Sequence, residues 1–305
     1  MKEEPKNVAA SIRQRLLNAR KGKQDFQRML LQYAIERLLF RLSQSSLRDS
    51  FILKGAMLFA LWTPEPFRST GDLDFLGFGP NDVAAIRSAF QTLCTEPVTD
   101  DGLSFDPKSI EVETMREEEE YQGARVRLRA HLGTAVIPLQ IDIGFGDIVH
   151  PAPLELDYPV LVADLPAPRI RAYPPQTVIA EKLEAMVRFG ELTSRLKDHY
   201  DIWALSQIFG FKMHDLVTAI EKTFAHRKTD FPSDIPLPLT DEFARHQAKL
   251  AQWKAFLKRT SPTMMPPPFP GLLAELRGFL GPVISALQDS PSEITAEWRP
   301  GQGWS

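Results

Sequence analysis

Asp72 and Asp74 stand two residues apart in the stretch Ser69 to Leu76, which reads STGDLDFL. On a β-strand, alternation puts both carboxylates on one face and Leu73 and Phe75 on the other, with the two acidic Cα atoms roughly 6.5 to 7 Å apart. Like charges at neighbouring positions of one face repel, so a plain surface strand gains nothing from the pair. Either a cation lies between them or they are solvated turn residues. A cation would suit phosphoryl transfer, in which carboxylates clamp divalent ions about 3.5 to 4 Å apart around the entering and leaving oxygens. Hard oxygen donors select Mg²⁺, with Mn²⁺ as a substitute. A third acid is at hand. From Val136 to Ile143, Ile137, Leu139, Ile141 and Ile143 face one way and Gln140 and Asp142 the other, which puts Asp142 on the polar face of a half-buried strand.

Two later helices carry charge where apolar residues belong. Across Thr177 to Phe189, Val178, Ile179, Leu183, Met186, Val187 and Phe189 form a wide apolar arc, with Glu181, Glu184 and Arg188 opposite. Lys182 falls inside that arc, where it either snorkels to water or reaches a phosphate. In RLKDHYDIWALSQIFG, Ile202, Leu205, Ile208 and Phe209 define a stripe with Asp198 in its middle and Asp201 at its edge. Asp198 could pair with a buried lysine or cap the helix start. An inward lysine and an inward acid in one chain with D-x-D favour a site.

The elements that must position these residues are legible in outline. Asn7 to Arg48 reads as amphipathic helices. FILKGAMLFALW reads as strand, tight turn at Gly55 and helix, followed by the D-x-D strand. Asn81 to Leu93 looks helical, and Ile110 to Met115, Arg125 to Leu132 and Val136 to Ile143 look like strands. Between His150 and Pro175 prolines accumulate, which fits a connecting segment. Beyond it, Thr177–Phe189, Arg195–Phe209, Met213–His226, Asp241–Lys258 and Leu272–Leu287 read as helices, with a loose tail after Asp289. The expected fold class is α+β, close to α/β: N-terminal helices and a mixed sheet over residues 1–160, then a helical domain over 161–305.

At 305 residues, with 43% hydrophobic and 25% charged residues, the chain can bury a sizeable core. A single cysteine, Cys94, excludes an intramolecular disulfide and any site built from several thiolates, which suits a reducing cytosol. No apolar run is long enough to cross a bilayer, so a cytoplasmic location is expected. A net charge of −3 means that a polyanion would have to be held locally. The local basic runs are Arg13, Arg15, Arg20, Lys21 and Lys23, and Arg125, Arg127 and Arg129 on one strand face. The acidic run Glu117 to Glu120 reads as a loop.

The motifs LKGAMLFAL, RSTGDLDF, IDIGF, TVIAEKLEAMVRFG and RLKDHYDIW, in that order over roughly residues 50 to 210, resemble the AbiEii family of nucleotidyltransferase-like toxins. That resemblance implies a DNA polymerase β-like nucleotidyltransferase core using an NTP and Mg²⁺, and a separately encoded antitoxin. It implies that Asp72 and Asp74 bind metal, with Asp142 as the weakly marked third acid. Thr70 and Gly55 would help hold phosphate, and Lys54 and Arg68 would border the first motif. Lys182 would contact nucleotide phosphates, and Asp198 would be a late acid or the base for the acceptor hydroxyl. Some relatives add nucleotides to the 3′ end of tRNA and stop translation. The family's usual Gly-Gly or Gly-Ser is here Gly55-Ala56, which removes one phosphate contact. Two other readings stand beside it: an acceptor that is a protein or a small molecule, and a catalytically silent binding module.

Overall fold

Local capping signals start the N-terminal helices. The Asn7 side chain accepts from Ala10 N–H at 2.9 Å to open α1 (Val8–Ala19), and Asp25 accepts from Gln27 N–H at 3.0 Å to open α2 (Phe26–Gln44). The structure, a computed structural model, describes residues 7–20, 25–63, 71–117, 121–193, 195–232, 234–289 and 295–305. Arg68, Thr70, Lys21, Lys23 and residues 118–120 lie outside the described residues. The chain divides into two units: Met1–Pro64, Thr70–Gly146 and Leu154–Ala172 form the first, and Glu65–Ser69, Asp147–Pro153 and Tyr173–Ser305 the second.

In the first unit, β1 (Phe51–Lys54), α3 (Leu58–Trp62), β2 (Leu73–Gly77), α4 (Val83–Thr95), β3 (Leu103–Glu117), β4 (Tyr121–Leu132), β5 (Ala135–Phe145), β6 (Leu154–Asp157) and β7 (Arg169–Ala172) follow the two helices. The strands form one sheet in the order β3-β4-β5-β2-β1-β7-β6. It is mixed: β5 runs parallel to β2 and β7 parallel to β1, while the other pairs are antiparallel. Alternation sorts the faces. Ile137, Leu139, Ile141 and Ile143 of β5 and Ala124, Val126, Leu128 and Ala130 of β4 are buried, and Asp142, Arg125, Arg127 and Arg129 take the other side. Helix α2 lies against β5, β7 and α4.

Two sequence expectations change here. Helix α2 is enclosed rather than amphipathic, since every residue from Tyr33 to Leu42 is buried, including Glu36, Arg37 and Arg41. Their charges are matched internally. Asp101 accepts from Arg37 Nε at 3.2 Å and from Arg41 Nη1 at 2.8 Å and Nη2 at 3.2 Å, and Glu36 accepts from Arg37 Nη1 at 3.2 Å and Leu161 N–H at 2.7 Å. Side chains satisfied in this way can be enclosed without leaving a charge unpaired. The proline-rich connector is also partly sheet. Its prolines fall outside β6 and β7, which leaves both strands free to pair, and β7 completes the side of the sheet beside β1.

The second unit is mainly helical. Pro174 and Pro175 open α5 (Pro175–Phe189), and α6 (Leu196–Ile208), β8 (Phe211–Lys212), α7 (Met213–His226), α8 (Asp241–Arg245), α9 (Gln247–Thr260) and α10 (Phe269–Asp289) follow. The helix expected over Asp241–Lys258 is two, parted at His246. Of the tail expected to be loose after Asp289, residues 290–294 lie outside the described residues and 295–305 are ordered. Strands β9 (Glu297–Arg299) and β10 (Gly303–Trp304) join β8 in a small sheet, and Trp298 and Trp304 pack on Phe279 with ring centroids 4.8 and 5.9 Å away. Among the described residues no helix is long and apolar enough to cross a membrane.

Burial pushes the Glu36 carboxyl up to about 7, against the opposing pull of the Leu161 N–H and Arg37. A group raised in this way stabilises the fold below its unfolded value and loses that contribution as pH rises through its folded value. The melting temperature of the wild type should therefore fall between pH 5 and pH 8 relative to Glu36→Gln, which keeps an acceptor for Leu161 and carries no charge. A scanning-fluorimetry pH series on both proteins measures the gap, which should widen toward pH 8.

Candidate functional site

The turn after β1 and the D-x-D strand meet within the first unit. Gly55 sits at φ +73°, a conformation that favours glycine, and a Cβ built on it would lie 2.0 Å from Asp74 Oδ2. The glycine therefore lets the backbone of the turn close onto the carboxylate. Ala56, where the family usually has Gly or Ser, lies in a 3-10 turn over Gly55–Met57 without positive φ, and it is buried. Its methyl therefore imposes no backbone strain, although it offers no hydroxyl.

Register builds a row of charges across the sheet. Lys54 of β1 stands opposite Asp74 of β2, Asp74 beside Asp142 of β5, and Asp142 opposite Arg125 of β4. Asp72 is exposed just before β2, and its charge adds to the field at Arg125. Asp142 is occupied: its two oxygens accept from Arg125 Nε at 2.8 Å and Nη2 at 2.7 Å. Among the described residues, no group of three or more His, Cys, Asp or Glu side chains is placed to hold a metal ion. Of the three acids singled out in the sequence, Asp74 and Asp142 thus stand side by side with Asp72 just before them, and Asp142 is engaged by Arg125. Two carboxylates with a solvent-facing side suit Mg²⁺, which keeps waters and takes few protein ligands.

The arginine ladder of β4 is matched by acids. Opposite Arg125, Arg127 and Arg129, β3 places Glu113, Glu111 and Asp106, and Arg127 Nη1 donates to Glu113 Oε1 at 2.6 Å. That face is therefore close to charge-neutral, which weakens it as a phosphate-binding tract.

In the second unit, α5 and α6 bring Lys182, Asp198 and Asp201 together. Lys182 Nζ donates to Asp198 Oδ1 at 2.5 Å and to Asp201 Oδ2 at 2.8 Å. Both acids are buried, with side chains 1% and 0% exposed, whereas Lys182 keeps 14%. Asp201 is as deep as Asp198 rather than at an edge, because α6 is buried on nearly all sides from Leu196 to Ser206. Burial works against the charge on Asp198, but Lys182 and Arg195 outweigh it and hold its carboxyl down at about 2. Lys182 and Arg195 thus hold Asp198 as a carboxylate, and Asp198 in turn holds the ammonium in place.

One feature of α5 leaves no mark in the local sequence pattern. Glu184, expected on the solvent side, is fully buried and accepts from Arg227 Nη1 and Thr229 Oγ1, both at 2.7 Å, while Arg227 Nη2 reaches Asp147 at 2.9 Å. Arg227 lies just past the end of α7, and no helical spacing connects it to α5.

The solved structure of JHP933 from Helicobacter pylori is similar in fold. It is 12% identical and covers 88% of this chain and 96% of its own, with a TM-score of 0.51. A second solved H. pylori chain, also 12% identical, covers 88% of this chain and 100% of its own at a TM-score of 0.49. The family match makes this chain a nucleotidyltransferase. The chain belongs to the AbiEii family, described as nucleotidyl transferase AbiEii toxin of type IV toxin–antitoxin systems, which it matches over residues 37–275. No curated protein matches the sequence.

Removing the ammonium should leave two buried charges without their shared partner. Lys182→Met should cost about 3 to 5 kcal/mol of stability, as for a broken buried pair, and adding Asp198→Asn and Asp201→Asn should restore much of it. Denaturant unfolding of the single and triple variants measures both steps. Gly55→Ala should displace the Asp74 carboxylate or the turn and lower transfer activity at least tenfold, read in a labelled-nucleotide assay.

Proposed function

We propose that the protein transfers a nucleotide from an NTP to an RNA acceptor, the 3′ end of tRNA, and so blocks translation in the cytoplasm, where a separately encoded antitoxin restrains it. The observation that carries this reading is the closure of the Gly55 turn onto Asp74, with Asp72 and Lys54 close by in the same strands. Family membership supplies the reaction class.

In the reaction, the acceptor hydroxyl gives up its proton to solvent and attacks the α-phosphorus in line, the O–P bond to the acceptor forms, the bond to the β-phosphate oxygen breaks, and pyrophosphate leaves with the electron pair. Mg²⁺, held by Asp72 and Asp74, would supply charge neutralisation at the phosphoryl oxygens. Lys182, fixed by Asp198 and Asp201, would add positive charge against the triphosphate. Asp198 acts on this step through Lys182, as a positioning residue. Lys54 lies opposite Asp74 and would balance its charge before substrate arrives.

Asp72 is exposed, so Asp72→Ala tests chemistry rather than folding. The purified protein with α-labelled NTPs, Mg²⁺ and total RNA should label tRNA, and Asp72→Ala and Asp74→Ala should each lower labelling at least a hundredfold. Label appearing in lysate proteins or in a small molecule, with none in RNA, would replace the acceptor. Growth arrest on induced expression should vanish with Asp72→Ala.

A further inference from the structure

Asp198 serves two cations. Its Oδ1 takes Lys182, and its Oδ2 takes Arg195 Nε at 2.8 Å. Arg195 is the N-cap residue of α6, and its own backbone N–H donates to Thr193 Oγ1 at 3.2 Å. The turn that carries it is braced from α9, where Lys249, 7% exposed, donates its ammonium to the carbonyls of Glu191 at 2.9 Å and Thr193 at 2.8 Å. Arg195 is thus anchored at its backbone and again at Nε, the inner nitrogen of its guanidinium.

That anchoring leaves the outer edge of the group for another partner. A guanidinium has five N–H bonds in a rigid plane, and one held through Nε still has the outward N–H bonds of its two Nη groups for another acceptor. Among the described residues neither Nη of Arg195 has an acceptor within hydrogen-bond distance, and the side chain is 42% exposed although the carboxylate behind it is 1% exposed. Lys182 is shared between Asp198 and Asp201, so Arg195 supplies the second positive charge of the cluster, and it does so through Nε alone. Lys197, exposed in the first turn of α6, adds positive charge nearby, and the helix N-terminus adds its partial charge.

We propose that Arg195 is a phosphate-binding residue, whose two Nη groups take two oxygens of the triphosphate tail of the NTP, and that Asp198 and the Lys249 brace hold its fork in position. This rests on the nucleotidyltransferase reading of the Lys182 cluster. A planar fork matches two phosphoryl oxygens in a way that the point charge of a lysine does not. Fixing Nε beforehand removes part of the side-chain entropy that a free surface arginine would lose on binding.

The test is equilibrium titration, in Mg²⁺, of wild type, Arg195→Gln and Arg195→Lys with non-hydrolysable α,β-methylene analogues of the four NTPs, with the matching nucleoside monophosphates, and with bulk tRNA. The dissociation constant of the preferred triphosphate analogue should rise at least tenfold in Arg195→Gln and at least threefold in Arg195→Lys. Monophosphate and tRNA affinities should stay within twofold. Arg195→Lys keeps the counter-charge on Asp198, so it remains informative if Arg195→Gln fails to fold. Three results would overturn the assignment: wild-type triphosphate affinity in both variants, an equal loss for triphosphate and monophosphate, or a loss confined to tRNA. If the wild type itself shows no preference for triphosphate over monophosphate, the nucleotidyltransferase reading falls and Arg195 falls with it.

Discussion

A carboxylate shut away from water must have a fixed positive partner, and in the second unit this single requirement organises α5 and α6. Asp198 and Asp201 have almost no solvent access, so Lys182 must cross from α5 to meet both. Such clusters are poor stabilisers compared with well-packed apolar side chains, because desolvation consumes most of the attraction. Their strength is positional. An ammonium held from two sides has little rotamer freedom, and the helix that carries it is held in turn by Glu184, whose oxygens are taken by Arg227 and Thr229. The lysine is therefore fixed by α6, and its helix by the residues just past α7.

The first unit solves the opposite problem. Its acids near the glycine turn lie nearer to solvent, Asp72 exposed and Asp74 half-buried, where water can share in stabilising their charge. One strand further along, Asp142 is locked bidentately to Arg125. The buried group of Glu36, Arg37, Arg41 and Asp101 sits on the α2 side and carries no comparable openness. Charge in this unit is thus divided between a structural cluster enclosed with α2 and an accessible row across the strands.

Sequence periodicity located the strand–turn–helix of Phe51 to Trp62, the polar alternation of β5 and all the helices of the second half to within a few residues, except that Asp241–Lys258 is split. These are short-range signals, and nothing non-local competes with them. The inward direction of Lys182 and Asp198 was legible because each breaks an apolar arc. The depth of Asp201, Glu184, Arg37 and Arg41 was not, since their partners are distant in sequence and a helical wheel assigns such charges to solvent. The order of residues 295–305 is hidden for a similar reason. Trp298 and Trp304 are tethered by Phe279 and by pairing with β8, contacts that no window of neighbouring residues contains. Whether Asp142 is open or occupied depends on which residue of β4 falls opposite it, a matter of register that the sequence leaves undecided.

The mixed sheet also sets an order of assembly. The meander β3-β4-β5 joins strands adjacent in the chain, but β2 pairs with β5 through Leu73 and Ile141, and β1 pairs with β7 through Leu53 and Ala172. Pairings over such separations must first overcome loop-closure entropy, so they come late. During synthesis, Asp72 and Asp74 leave the ribosome well before the strand that flanks them on one side, and the sheet beyond β1 waits longer still. A nascent or prematurely terminated chain carries Asp72 and Asp74 without the strand that sets their register, and the arrangement around the glycine turn is complete only after most of the first unit has been made.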